Sequence, residues 1–238
     1  NLPQESRCTK EALSYVSGDY RESRDLEQLH LVMGFEGLSY LDDAYYPMAV
    51  LSMLLGGGMS SRLFQEAREK RGLVYNIYTF ASNYEDGGLF GVYAGTGGNE
   101  VAELVPVICG EIISVCGKVT EDELARAKAQ LKSSTLMALE STSSRCEQAA
   151  RQLQIFGRPI TIPEVIKKID AVNAEAVETV ARRIFCSRTG AAANARLFRT
   201  LRWRRAHTLH TLRIETRSRC SCGRFGCEPT GEPGFSRP

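Results

Sequence analysis

Between Leu26 and Leu55 the spacing of apolar residues switches from every second position to a helical repeat, which sets a strand directly before a helix. Leu29, Leu31, Met33 and Phe35 fall on one face of the first stretch, with Gln28, His30, Val32 and Gly34 on the other. Such alternation predicts a half-buried strand, since successive side chains point to opposite faces of a sheet. Asp42 and Asp43 then open an apolar stretch that runs through Leu55 and stops at Gly56, Gly57 and Gly58. Acidic residues favour the positive end of the helix dipole, and glycine just past the last turn lets the chain leave.

The punctuation continues along the chain. A second helix is predicted from Ser60 to about Arg71, with Leu63, Phe64 and Ala67 as its apolar stripe and Gly72 as its stop. Residues 73–81 and 88–95 are rich in Tyr, Phe, Val and Ile, and Asp86-Gly87 between them signals a hairpin whose connection is longer than two residues. Asn99 is placed to cap a helix through Val115, with Pro106 near its first turns as a site for a kink or a later start. Thr120 with Glu123 forms a capping box at the head of a long helical stretch to about Phe156, closed by Gly157 and Pro159. Thr161 with Glu164 forms a second box, and Asn173 opens a last amphipathic segment through Ile184. Strands followed by helices predict an α+β fold, a mainly antiparallel sheet with helices packed on one face.

Hydrophobic and charged contents of 43% and 24% are those of an ordinary soluble globular protein. The longest apolar stretch, Val101 to Val115, is interrupted by Glu103, Pro106 and Glu111. It falls short of the ~20 residues a membrane span needs. The first residues have neither the basic start nor the apolar centre of a secretory signal, and Asn1 in place of Met points to a fragment or processed product. Cys8, Cys109, Cys116, Cys146 and Cys186 are scattered, which reads as reduced thiols in a cytosol-like compartment rather than a disulfide framework.

The net charge of +2 hides an asymmetry. Residues 186–238 hold 11 Arg, no Lys and 3 Glu, a balance of +8; the remainder holds 19 basic and 25 acidic residues, a balance of −6. The chain therefore divides into a linker or the end of a preceding segment (1–16), a folded domain (17–185) and an Arg-rich tail (186–238). A shift of reading frame in a GC-rich gene is the favoured reading of the tail, because it explains the joint bias to Arg, Gly, Ala, Cys and Pro. A disordered basic extension that binds nucleic acid or anionic membrane comes second. A zinc site built from His207, His210, Cys220, Cys222 and Cys227 comes third, since those spacings match no standard module.

The segment GLSYLDDAYYPMAVLSMLLGGGMSSRLFQEAREKRGLVYNIYTFASNYEDGGLF, Gly37 to Phe90, resembles the second-domain hallmark of zinc metallopeptidases of the mitochondrial processing peptidase and pitrilysin family. DLEQLHLVMGFEG before it is similar to the first strand of that domain, and a looser likeness extends from about Gly18 through Phe185. The likeness is greatest to bacterial processing peptidases that resemble the mitochondrial β-subunit. It implies an enzyme of two similar halves closing on an extended peptide. The first half carries His-x-x-Glu-His and zinc, and the second supplies the opposing wall of the chamber. This chain has no such motif; its histidines are His30, His207 and His210, and His30 stands alone on a strand. No metal ligand and no catalytic residue is therefore assigned to this chain alone, and zinc is expected in the missing or partner half.

By the resemblance, Arg68 and Tyr75 in AREKRGLVY bind the substrate backbone and support the tetrahedral oxyanion in the assembled enzyme. A guanidinium and a phenol are suitable donors for that charge. Arg71 competes with Arg68, but the spacing to Tyr75 favours Arg68. From the residues alone, Arg68, Lys70 and Arg71 equally complement a helix C-terminus and Tyr75 is a strand aromatic. Gly56, Gly57 and Gly58 before Ser60 and Ser61 lack the Gly-Lys-Thr/Ser of a phosphate loop and read as a turn between helices. The hairpin around Tyr84 to Gly88 offers a sheet edge to which a peptide could add as a strand.

The expected function is thus the non-catalytic, substrate-facing half of a zinc metalloendopeptidase, inactive alone. The expected partners are a zinc-bearing half or subunit and an extended peptide, with no membrane and nucleic acid disfavoured. The expected location is cytoplasmic, or similar to the mitochondrial matrix. The alternative is a structural module like the family's core subunits without peptidase activity.

Overall fold

The computed structural model describes residues 13–186. Most of the expected linker, and all of the tail beyond Cys186 with its five candidate zinc ligands, lie outside the described residues. Three strands, β1 (Leu29–Gly37), β2 (Val74–Asn83) and β3 (Gly88–Thr96), form an antiparallel sheet in the order β1-β3-β2. β3 is central, and its partners run in register from Leu29↔Thr96 to Gly37↔Gly88 on one side. The connection from β2 to β3 spans residues 84–87 and is closed by the Tyr84 amide donating to the Gly87 carbonyl at 2.8 Å. The hairpin signal and its longer connection are both present.

The helices are α1 (Tyr45–Gly56), α2 (Val101–Val115), α3 (Glu121–Ala138), α4 (Thr142–Phe156), α5 (Ile162–Asp170) and α6 (Ala174–Phe185). They pack on one face of the sheet, as the α+β pattern requires. Leu29, Met33 and Phe35 from β1 and Phe90, Val92 and Ala94 from β3 meet Leu51, Leu55, Ile184 and Phe185, all buried. The Phe185 ring stands edge-on to Phe35 at 4.9 Å and to Phe90 at 5.5 Å, which seats the end of α6 on the sheet. α1 is seated through Thr79, whose hydroxyl donates to the Ser52 carbonyl at 2.8 Å. A Cβ on Gly56 would lie 2.6 Å from the Thr79 amide nitrogen. The first glycine of the triplet is thus needed for the close approach of helix and strand.

Several boundaries differ from the sequence reading. The long helix after Thr120 is two helices, because Ser141 interrupts it and caps α4, accepting from the Ser144 amide. The Thr120–Glu123 capping box forms, but Thr161 makes no side-chain cap; Glu164 is drawn instead to Arg158 at 2.8 Å. Asn99 does not cap α2, which starts after Glu100 without a side-chain cap and runs unbroken through Pro106. α1 begins at Tyr45, later than Asp42 and Asp43, although the Asp42 carboxylate does accept from the Ala44 amide at 2.9 Å. The predicted second helix is a π-helical segment over Phe64–Glu69, ended at Gly72, whose φ of 65° is the left-handed stop expected there.

One ion pair ties the second helix region to the head of α3. Arg62, 11% exposed, donates to both Glu123 oxygens at 3.0 and 2.8 Å, to Ser114 Oγ and to the Lys118 carbonyl. Burial alone would raise the Glu123 carboxyl, but hydrogen bonds from Arg62 and Thr120 outweigh it and bring it from 4.5 down to about 2. A carboxyl with a depressed folded value stabilises fully above its unfolded value, and that contribution disappears as pH falls toward the folded one. We expect a loss of about 1–2 kcal/mol from Glu123 and its donors Arg62 and Thr120 between pH 5 and pH 2, since water screens part of the interaction at this partly exposed carboxylate. Arg62→Ala is expected to cost about 2–3 kcal/mol at pH 7 and to flatten the acid limb. Urea titrations at several pH values check this; equal acid slopes for both proteins would refute it.

Candidate functional site

The segment from Phe64 to Tyr75 turns the chain from a helix into an edge strand. Leu63 and Ala67 are fully buried and hold the π-helical segment against the body. The Gly72 amide donates to the Arg68 carbonyl at 3.0 Å and the Leu73 amide to the Ala67 carbonyl at 2.8 Å. Those two bonds fold residues 68–73 back on themselves, so Arg68 and Tyr75 flank one tight turn.

The three basic side chains of this segment have different environments. Lys70 is ion-paired with Glu66, and Arg71 lies 3.6 Å from Glu103. Arg68 has no carboxylate partner among the described residues; its guanidinium lies over the Phe64 ring, 4.9 Å from the centroid. Tyr75 sits at a β-bulge: Val74 pairs with Thr96 and Asn76 with Gly95, so Tyr75 has no partner of its own. The extra residue lets Val74 and Ile77 both point into the core and leaves Tyr75 63% exposed. Its hydroxyl makes no hydrogen bond among the described residues.

The sequence does carry a signal for the bulge. Val74 and Ile77 are both apolar but three apart, which breaks a two-residue period. The π-helical geometry and the engagement of Lys70 and Arg71 have no comparable signal.

The sheet face away from the helices carries an aromatic row. His30 Nδ1 lies 2.7 Å from the Tyr93 hydroxyl, Tyr93 stacks on Tyr78 at 4.8 Å, and Tyr78 neighbours Phe80. His30 is thereby joined to the row through the Tyr93 hydroxyl. Among the described residues no group of three or more His, Cys, Asp or Glu is arranged to hold a metal ion. A separate cleft of about 900 Å³ opens between α1, α3, α4 and α5, lined by Tyr45, Leu131, Ile155, Phe156 and Val165 among others. It does not include Arg68 or Tyr75. No described helix is long and apolar enough to cross a membrane.

The fold so described is an α+β domain with no metal centre among its described residues. Residues 3–131 match the family model described as the Peptidase M16 inactive domain, and the chain belongs to that family. It is 39% identical over 163 residues to the uncharacterized zinc protease YmxG of Bacillus subtilis, covering 68% of this chain and 40% of that one. It is 38% identical over 179 residues to an uncharacterized zinc protease of Rickettsia felis, covering 75% and 43%. The chain thus spans less than half the length of these relatives. Among solved structures it resembles a conserved protein from Enterococcus faecalis V583, with TM-score 0.63, 27% identity and coverage of 73% and 41%. A chain of Complex III2 from Candida albicans shares the fold, with TM-score 0.65, 20% identity and coverage of 72% and 43%.

The turn can be tested apart from any activity. Gly72→Ala forces a Cβ into the left-handed region and is expected to cost about 1–2 kcal/mol. Tyr75→Phe removes only an exposed hydroxyl and should stay within about 0.5 kcal/mol of the parent. Urea denaturation of both variants checks this, and a large loss in Tyr75→Phe would mean that the hydroxyl is structural.

Proposed function

We propose that this chain is the substrate-facing half of a zinc metalloendopeptidase, with Arg68 and Tyr75 directed at the peptide. The observation that carries the reading is the contrast within one turn. Lys70 and Arg71 are matched to carboxylates, whereas Arg68 is not, and a bulge turns the Tyr75 phenol out of the ladder without a partner. Bulges and π-helical segments are both over-represented beside functional sites, where they aim side chains at the cost of regular pairing. The zinc-protease names of the relatives supply the reaction class, and the 40% coverage of YmxG leaves room for a metal-bearing half.

In this reading the guanidinium and phenol donate hydrogen bonds to the peptide backbone. They strengthen these bonds as the scissile carbonyl oxygen becomes an oxyanion, which is where fixed donors contribute most. No group of three or more His, Cys, Asp or Glu among the described residues is arranged to hold a metal ion, and in this reading the metal's chemistry comes from the other half. The resemblance to a Complex III2 chain keeps a structural module as the second reading.

The test combines this chain with the remainder of a zinc-protease relative and assays cleavage of a fluorogenic peptide. Arg68→Ala and Tyr75→Phe are each expected to lower kcat about 10²–10³-fold while the two halves still associate. Arg71→Ala should change kcat little. Stable association without any cleavage would favour the structural module, and unchanged kcat in both variants would overturn the assigned roles.

A further inference from the structure

The cleft between α1, α3, α4 and α5 lies apart from Arg68 and Tyr75, and its 900 Å³ is the size of a small-molecule site, about 300–1,000 Å³. Its interior is apolar, built from Leu131 of α3, Ile155 and Phe156 of α4, and Val165 and Ile169 of α5. α4 buries none of its residues, so Ile155 and Phe156 stay half-buried and present hydrocarbon to the open cleft.

One edge of the cleft carries a connected row of donors. Arg151 of α4 donates to the Tyr40 hydroxyl at 3.1 Å. The Tyr40 ring lies 5.3 Å from Tyr45, Tyr45 stands edge-on to Tyr46 at 5.2 Å, and the Lys168 ammonium lies 5.4 Å from the centre of the Tyr46 ring. A guanidinium and an ammonium thus close the two ends of a tyrosine row. The hydroxyl of Tyr45, the central member, makes no hydrogen bond among the described residues. Burial first, with Tyr40 and Tyr46 adding and Arg151 opposing, pushes the Tyr45 phenol up to about 12, so it keeps its proton and remains a donor. The carboxylates nearby do not cancel the two cations. Asp42 is held by both terminal nitrogens of Arg183, and Glu164, the acid 3.6 Å from Lys168, is already bound by two nitrogens of Arg158. Asp43 and Glu147 are exposed at the rim, where water screens them.

We propose that this cleft binds a small amphiphilic carboxylate, with its hydrocarbon body between α3, α4 and α5 and its carboxylate on the Arg151 guanidinium and the Tyr45 hydroxyl. Lys168 adds positive charge at the far end of the row. Removal of hydrocarbon from water supplies the affinity, and charge-assisted bonds to fixed donors set the orientation and the sign of the head group. A cationic amphiphile, which tyrosine faces also attract, meets Lys168 already seated on Tyr46 and Arg151 already on Tyr40. The site is independent of the peptidase reading, since neither Arg68 nor Tyr75 lines it.

Isothermal titration calorimetry of the full chain with decanoate and with decyltrimethylammonium, soluble probes of equal chain length and opposite charge, tests this. Decanoate is expected to saturate at one per chain and to bind about 10-fold more tightly than the cation. Arg151→Gln should weaken decanoate about 10-fold, and Tyr45→Phe and Lys168→Gln about 2–5-fold each. Arg145→Gln, on the same helix but outside the cleft, should leave it unchanged. Val165→Trp fills the cleft and should abolish binding of both probes. Far-UV circular dichroism identifies a Val165→Trp protein that fails to fold, and the exposed Arg151→Gln then carries the test. Equal affinity for the two probes, or decanoate binding unaltered by Arg151→Gln, would overturn the proposal. So would displacement of decanoate by the zinc-bearing remainder of a relative, which would assign the cleft to the contact between halves. Dimerisation in sedimentation that Val165→Trp prevents would assign it to a second copy of the chain and overturn the proposal equally.

Discussion

The Thr96 hydroxyl, fully buried at the end of the central strand, donates to the Leu73 carbonyl at 2.5 Å, and the exposed turn depends on that bond. A buried hydroxyl and a buried carbonyl each cost about 1–3 kcal/mol if left unpaired, so the contact is strongly selected once both groups are inside. It fixes Leu73 against the end of β3 just as Val74 enters the ladder opposite the same threonine. The bulge at Tyr75 can then displace only the exposed side chain, because the residues before and after it are already committed to the core. Geometry at the surface is thereby set by a polar contact in the interior.

The helical layer divides its work unevenly. α1 and α2 are apolar enough to bury about half of their residues, and Val50, Leu51, Leu55, Leu104 and Ile108 are fully enclosed. α4 buries no residue at all. It is held by contacts such as Arg151 to the Tyr40 hydroxyl at 3.1 Å and the Ile160 amide to Gln152 at 2.8 Å. Single polar contacts of that kind contribute only about 1 kcal/mol each. The sheet with α1, α2 and α6 is therefore the stable frame, and the weakly packed α4 forms one wall of the cleft beside it.

Much of this frame was legible because local chemistry and tertiary packing agree. The alternation in β1, the Asp86-Gly87 hairpin, the Gly72 stop and the Thr120–Glu123 box all act within a few residues, and all appear where the sequence places them. Errors arose where a residue's best local partner was taken by a more distant one. Thr161 loses its box because Glu164 is bound by Arg158, and α3 ends before α4 because Ser141 caps a new helix within a polar run. In the candidate site, the identities of Arg68 and Tyr75 came from resemblance. What distinguishes Arg68 from Arg71 is a contact with Glu103 on a different helix, which spacing along the chain cannot encode.

Exposure also bears on why, in the proposed reading, such a turn would do nothing by itself. In the isolated chain the Tyr75 phenol is 63% exposed, and water competes for every hydrogen bond it could offer. Two unit charges 4 Å apart interact by only about 1 kcal/mol in water, and several-fold more strongly where a protein surface excludes it. Donors arranged as these are would thus act on an oxyanion only after a second body covers them. In the proposed reading the partner half supplies two separate things: the metal chemistry that these residues cannot hold, and the dry surroundings that give Arg68 and Tyr75 their effect. A domain built this way keeps its donors ordered through its own core while leaving their strength to depend on closure.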